Sequence, residues 1–71
     1  MTLRALLGDN VRRIRRELDL SQEELAAASG LHRTYVGAVE RGERNVTLST
    51  LERLASALKV DVVDLLRRGG R

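Results

Sequence analysis

Seventy-one residues allow one small domain and exclude most multi-domain enzymes, and a chain of this size buries only about 60% of its unfolded surface. With no cysteine it cannot be stapled by disulfides, so association with another copy is the expected source of extra stability. Thirteen basic residues against ten acidic ones give a net charge of +3, compatible with a nucleic-acid partner, and Lys59 is the only base that is not arginine, the residue suited to bidentate contact with phosphate or guanine.

Hydrophobic content of 42% beside 32% charged residues is a globular profile, and no apolar run approaches the roughly 20 residues that span a bilayer. Arginines interrupt the N-terminal hydrophobic pattern, so no signal-peptide pattern is present. A cytoplasmic protein with no membrane partner is expected.

The absence of proline and the spacing of apolar residues predict an all-α chain. Leu7, Val11, Ile14 and Leu18 place one stripe on a first helix from about Leu3 to Leu18. Gly8 costs that helix about 1 kcal/mol relative to alanine, so the stretch before Asp9 is expected to fray or form a separate turn. Ser21-Gln-Glu-Glu24 is a capping box that starts a second helix at Gln22. Leu25, Ala26 and Ala28 continue it until Ser29 and Gly30, where glycine can take the left-handed conformation of a helix stop.

Leu31 anchors the turn, and Val36 and Val39 mark the buried side of a third helix from about Arg33 to Arg41, ended by Gly42. After a polar loop, Thr47 can cap a fourth helix with Leu48, Leu51, Leu54, Ala55 and Leu58 on one face. Asp61 can cap a last helix whose inward candidates are Val62, Leu65 and Leu66, with Arg67 and Arg68 at its negative end. One domain is expected over residues 1–68, with a disordered tail at 69–71.

Two short helices joined by a glycine-containing turn form a helix-turn-helix, spanning about residues 21–42, which presents its second helix to the DNA major groove. The wording is more specific than the pattern: Leu20-Ser-Gln-Glu-Glu-Leu-Ala26, Ser29-Gly-Leu31, Arg33-Thr-Tyr35, Glu40-Arg-Gly42 and Leu51-Glu-Arg-Leu-Ala55. From about Asn10 to Leu66 the chain resembles the phage-repressor and Cro-like helix-turn-helix family, also called the xenobiotic-response-element family. The run from Arg33 to Thr47 is most similar to the small controller proteins of restriction-modification systems.

That resemblance implies a compact five-helix, lambda-repressor-like domain that binds double-stranded DNA as a homodimer. Its operator would hold two half-sites about 34 Å apart, one turn of B-DNA. The family's base-reading positions correspond to Arg33, Thr34 and Ala38. Arg33 can bond guanine O6 and N7 together, and Thr34 can touch a thymine methyl. Gly37 and Ala38 are small, suggesting close approach to DNA and a specificity that leans on its shape.

Gln22 matches the family's phosphate-clamping position at a helix N-terminus, with Tyr35, Arg41, Arg44, Asn45 and Thr47 as further backbone contacts. Arg15 and Glu40 occupy the positions of a buried ion pair. Leu48, Val60, Val63 and Leu66 exceed what one small core buries and are assigned to the dimer contact, on family grounds more than on periodicity.

Plainer readings stand beside these. The run Arg12 to Arg16 reads as a solvated helix face rather than a second DNA surface, Arg15 excepted. His32 reads as a helix cap or phosphate neighbour rather than a metal ligand. Tyr35 suits either a packing site or a DNA contact. Glu23 and Glu24 diverge by about 100° on their helix and do not form a catalytic pair.

No nucleophile, base and orienting group occur together and no phosphate-binding glycine loop is present, so no enzyme and no cofactor are expected. No small-molecule ligand is evident, while RNA polymerase is a conceivable second partner. The alternative to a DNA-binding regulator is a protein-interaction module, such as an antitoxin or phage-derived regulator.

Overall fold

The computed structural model describes residues 1–69. Five helices follow one another: α1 (Leu3–Glu17), α2 (Gln22–Ser29), α3 (Arg33–Glu40), α4 (Leu48–Leu58) and α5 (Val62–Leu65). Among the described residues there is no strand, and no helix is long and apolar enough to cross a membrane. Of the tail expected to be disordered at 69–71, residues 70 and 71 lie outside the described residues.

Helices α1 to α4 each begin where the side chain of the capping residue accepts from an orphan amide. Thr2 Oγ1 accepts from the Ala5 amide at 3.1 Å, and Thr47 Oγ1 from the Thr50 amide at 3.1 Å. The capping box of α2 forms in full: Ser21 Oγ accepts from the Glu24 amide at 3.0 Å, while Glu24 Oε1 accepts from the Ser21 amide at 2.8 Å. The bond from the Ser21 amide, with the Ser21 side chain adding to it, favours the ionised carboxylate and holds the Glu24 pKa below its ordinary value. His32 caps α3, its Nδ1 accepting from the Thr34 amide at 3.1 Å. At α5 the Asp64 carboxylate accepts from the Asp61 amide at 3.0 Å.

The core is filled by Val11 of α1, Leu25 of α2, Val36 and Val39 of α3, Leu54 and Leu58 of α4 and Leu65 of α5, all fully buried. α1 packs on α3, α4 and α5, and α2 packs on α3 and α4, so every helix turns one stripe to a common centre.

Two expectations about apolar side chains, those for Leu18 and Leu66, need correction. Leu18 is 43% exposed, because α1 ends at Glu17 and the chain turns through Asp19 in the left-handed region at φ 57°, bringing Leu20 against the core instead. Leu48, read as apolar surface beyond what the core buries, is 80% exposed, since the first residue of α4 precedes the turn that meets the core. Leu66 lies beyond the end of α5 and is 37% exposed, leaving Leu65 to fill the interior.

Gly8 also differs from expectation. α1 runs through it without a break, and an added Cβ would lie 2.5 Å from the Val39 carbonyl oxygen and 2.6 Å from that of Glu40. The glycine is the point where α1 crosses the C-terminal end of α3, and this close approach offsets its poor helix propensity.

Polar groups brought inside are satisfied. Asn10 is buried, and its Nδ2 donates to the carbonyls of Leu65 at 2.9 Å and Arg67 at 3.0 Å, serving the carbonyls left open where α5 ends. Ser29, buried at the end of α2, donates to the Leu25 carbonyl at 2.7 Å. Among the described residues no buried side-chain nitrogen or oxygen lacks a hydrogen-bond partner.

Candidate nucleic-acid interface

The α2–turn–α3 unit is closed at Gly30, whose φ of 71° is a backbone setting that a side chain disfavours. Leu31 then packs on the core and His32 starts α3. The first residues of α3, Arg33 and Thr34, are exposed at the helix end whose dipole favours the phosphate-rich rim of a groove.

The orientation of α3 is set by a buried joint. Arg15 Nε donates to Glu40 Oε2 at 2.6 Å and its Nη2 to Glu40 Oε1 at 2.9 Å, a fork-to-fork pair, while Nη1 donates to the Leu20 carbonyl at 2.8 Å. The hydrogen bond with Glu40 raises the guanidinium pKa above its ordinary value, against desolvation by burial. Gln22, the first residue of α2, adds a third member: its Nε2 donates to Glu40 Oε1 at 3.1 Å. One carboxylate therefore ties the C-terminal end of α3 to α1 and to the N-terminus of α2. Arg12 supports the same corner, donating through Nη1 to the Glu40 carbonyl at 3.3 Å and through Nη2 to Asp9 at 2.8 Å.

Tyr35 is half-buried and packs against the core, while the Arg44 guanidinium lies over its ring at 5.4 Å from the centroid. The ring thus both packs and holds a loop arginine. Arg41 pairs through Nε with Glu43 Oε2 at 3.1 Å, both side chains being more than half exposed. Asn45 and Thr47 are exposed as well. The Thr47 hydroxyl is engaged on α4, accepting from the Thr50 amide and donating to Thr50 Oγ1 at 3.1 Å.

Ala38 does not stand where the sequence placed it. It is 7% exposed, and the chain after α3 folds back so that the Glu43 amide donates to its carbonyl at 3.0 Å. In a helix of eight residues bedded on α1 and α2, the stretch from Val36 to Glu40 is wholly buried, so Ala38 offers no side chain to a base edge. Gly37 is buried as well, with the ends of the Arg41 and Gln22 side chains beside it.

The arginine run at 12–16 divides by partner. Arg13 donates to Glu17 at 3.2 Å on the exposed side of α1, Arg16 is exposed, Arg12 braces α3 and Arg15 is buried. Of the residues assigned to a dimer contact, Val63 is 64% exposed and joins Leu48 and Leu66 in facing solvent. Val60 packs instead against the core. Leu3, not singled out in the sequence, is exposed too, and with Leu7, Val46, Leu51 and Leu66 it lines a cleft of about 190 Å³ edged by Arg4, Arg44 and Asn45.

The arrangement of α2, turn and α3 is matched in sequence by a family model described as Helix-turn-helix, over residues 11–65. The chain belongs to the helix-turn-helix family. This helix-turn-helix protein is 59% identical over 70 residues to the control protein C.SmaI of Serratia marcescens, an alignment covering 99% of this chain and 83% of that one. Its fold is similar to the crystal structure of the restriction-modification controller protein C.AhdI from Aeromonas hydrophila, with a TM-score of 0.85, 47% identity and coverage of 87% of this chain and 94% of that one. It is also similar to C.Esp1396I bound to a 25 base pair operator site, with a TM-score of 0.82, 35% identity and coverage of 92% and 86%. The resemblance drawn from the motif strings and the five-helix architecture are both met.

Proposed function

We propose that this protein is a DNA-binding transcriptional regulator of the controller type found in restriction-modification systems, acting as a homodimer on a two-fold symmetric operator in the cytoplasm. The observation that carries the reading is the exposed N-terminus of α3, with Arg33 and Thr34 outermost, locked at its far end by the Arg15–Glu40 pair. A recognition helix must be rigid to discriminate bases, and a bidentate pair buried among three helices supplies that rigidity. The similarity to a controller protein seen on its operator supports the same reading.

Roles then follow from position. Arg33 and Thr34 read base edges, and Gln22, Arg41, Arg44 and Asn45 hold phosphates, with Tyr35 keeping Arg44 in place. Thr47 contributes chiefly by fixing the start of α4 beside the same strand. Leu48, Val63 and Leu66 meet their equivalents on a second copy. Residues 1–68 form one domain. A bound dimer represses by covering a promoter or activates by offering RNA polymerase a contact. No step calls for catalysis.

The test is selection of bound duplexes from a random pool at moderate salt, with the protein's mass measured by light scattering. A two-fold symmetric site recovered by a dimer is the expected result. A monomer that enriches no sequence would sink the proposal and point to a protein partner instead.

A further inference from the structure

Gly37 lies in the middle of α3, and its φ is not in the positive region that calls for glycine. At such a position glycine costs roughly 1 kcal/mol of helix stability relative to alanine. The space around it explains what stands against that cost. An added Cβ would lie 3.2 Å from Arg41 Nη1, 3.6 Å from Gln22 Oε1 and 3.8 Å from Gln22 Nε2. At Gly8 the obstacle is backbone; here it consists of the ends of two long side chains, one from the first residue of α2 and one from the residue that ends α3.

These are two of the groups assigned above to phosphate, so the inference rests on the DNA-binding reading. Gln22 is tethered to Glu40 through Nε2 and has little freedom to retreat. Arg41 is exposed, pairs with Glu43 in a single solvent-facing contact, and can be displaced. We propose that Gly37 is a positioning residue for the phosphate clamp: its bare backbone is the seat on which the Gln22 amide and the Arg41 guanidinium converge. A methyl group there pushes the guanidinium outward by a few tenths of an ångström, enough to spoil a charge-assisted hydrogen bond whose strength depends on short, straight geometry. Placement of the clamp thus takes precedence over helix propensity, and stability and DNA affinity pull this position in opposite directions.

The decisive variant is Gly37→Ala, compared with wild type in thermal stability and in binding to a random-sequence duplex, which reports backbone contacts without base reading. The expected result is a melting temperature equal to or above wild type together with about five-fold weaker binding. The salt dependence should also become shallower, by up to about 0.9 in log–log slope, the value for a single neutralised phosphate. Introduced where Gln22 and Arg41 are already alanine, the same change should have almost no effect on binding, because Gly37 acts through them.

Three outcomes overturn the inference: unchanged affinity and salt slope, a loss of affinity accompanied by a lower melting temperature, or a loss as large in the doubly substituted background. Failure of wild type to bind duplex DNA in a salt-dependent manner is a separate result, and defeats the DNA-binding reading itself.

Discussion

Two arginine–glutamate pairs flank the end of α3, and they share chemistry but not environment. Arg15–Glu40 is buried, bidentate and shared with Gln22, whereas Arg41–Glu43 is a single contact in solvent. The first pair has surrendered its hydration and is committed to one geometry. The second gives up little when it opens, which suits a side chain proposed to exchange a carboxylate for a phosphate. The comparison teaches that a charge that holds α3 and a charge left available to a partner are separated by burial, within a few residues of each other.

The most severe way to break that comparison is Arg15→Ala. It leaves the Glu40 carboxylate buried with only Gln22 as partner, and stability should fall by about 3 to 5 kcal/mol. In so small a domain that is a large part of the total, and a chemical denaturation curve should show an unfolded or barely folded chain. Arg33→Ala comes next and should separate function from fold: unchanged denaturation midpoint, but about 1 to 3 kcal/mol less discrimination between the selected operator and a variant at one base pair. Full operator preference in that variant would remove Arg33 from base reading.

Glu43→Gln sharpens the contrast from the other side. An exposed pair is worth about 0 to 1 kcal/mol, so stability should barely change, while Arg41 is released and a negative charge facing phosphate is removed. Binding to random-sequence duplex should strengthen by a few fold at low salt and converge with wild type as salt rises. Smallest is the effect of acid on α2. The Glu24 pKa is lowered in the folded chain, so its contribution is present above the ordinary carboxylate value and is lost as pH falls through the folded value. Glu24→Gln should flatten that part of the acid limb when urea midpoints are compared across pH, the variant lying slightly below wild type near neutrality and converging on it in acid.

Local signals carried most of the fold into the sequence. Ser21 with Glu24, Gly30 and Thr47 all mark real helix boundaries, because capping is settled within four residues of chain. The Arg15–Glu40 pair was legible only through resemblance, since no spacing rule links positions in different helices. What stayed hidden was depth. Periodicity gives the face on which Leu18, Leu48 and Ala38 lie, but not whether a neighbouring element reaches that far along the helix. Gly8 reads locally as a weakness, and nothing in the sequence around Asn10 marks it as a buried clasp. Each becomes intelligible only when the helix crossing above it is in place.

Asn10 has a bearing on when the molecule becomes sticky. A helix of four residues cannot sustain itself in water, and α5 is clasped at its open end by an amide from the middle of α1. During synthesis the clasp emerges long before the segment it closes on. Val63 and Leu66 therefore take their outward positions only after the first and last helices have met, which makes the readiness of the proposed dimer surface a report that the chain beneath it has finished folding.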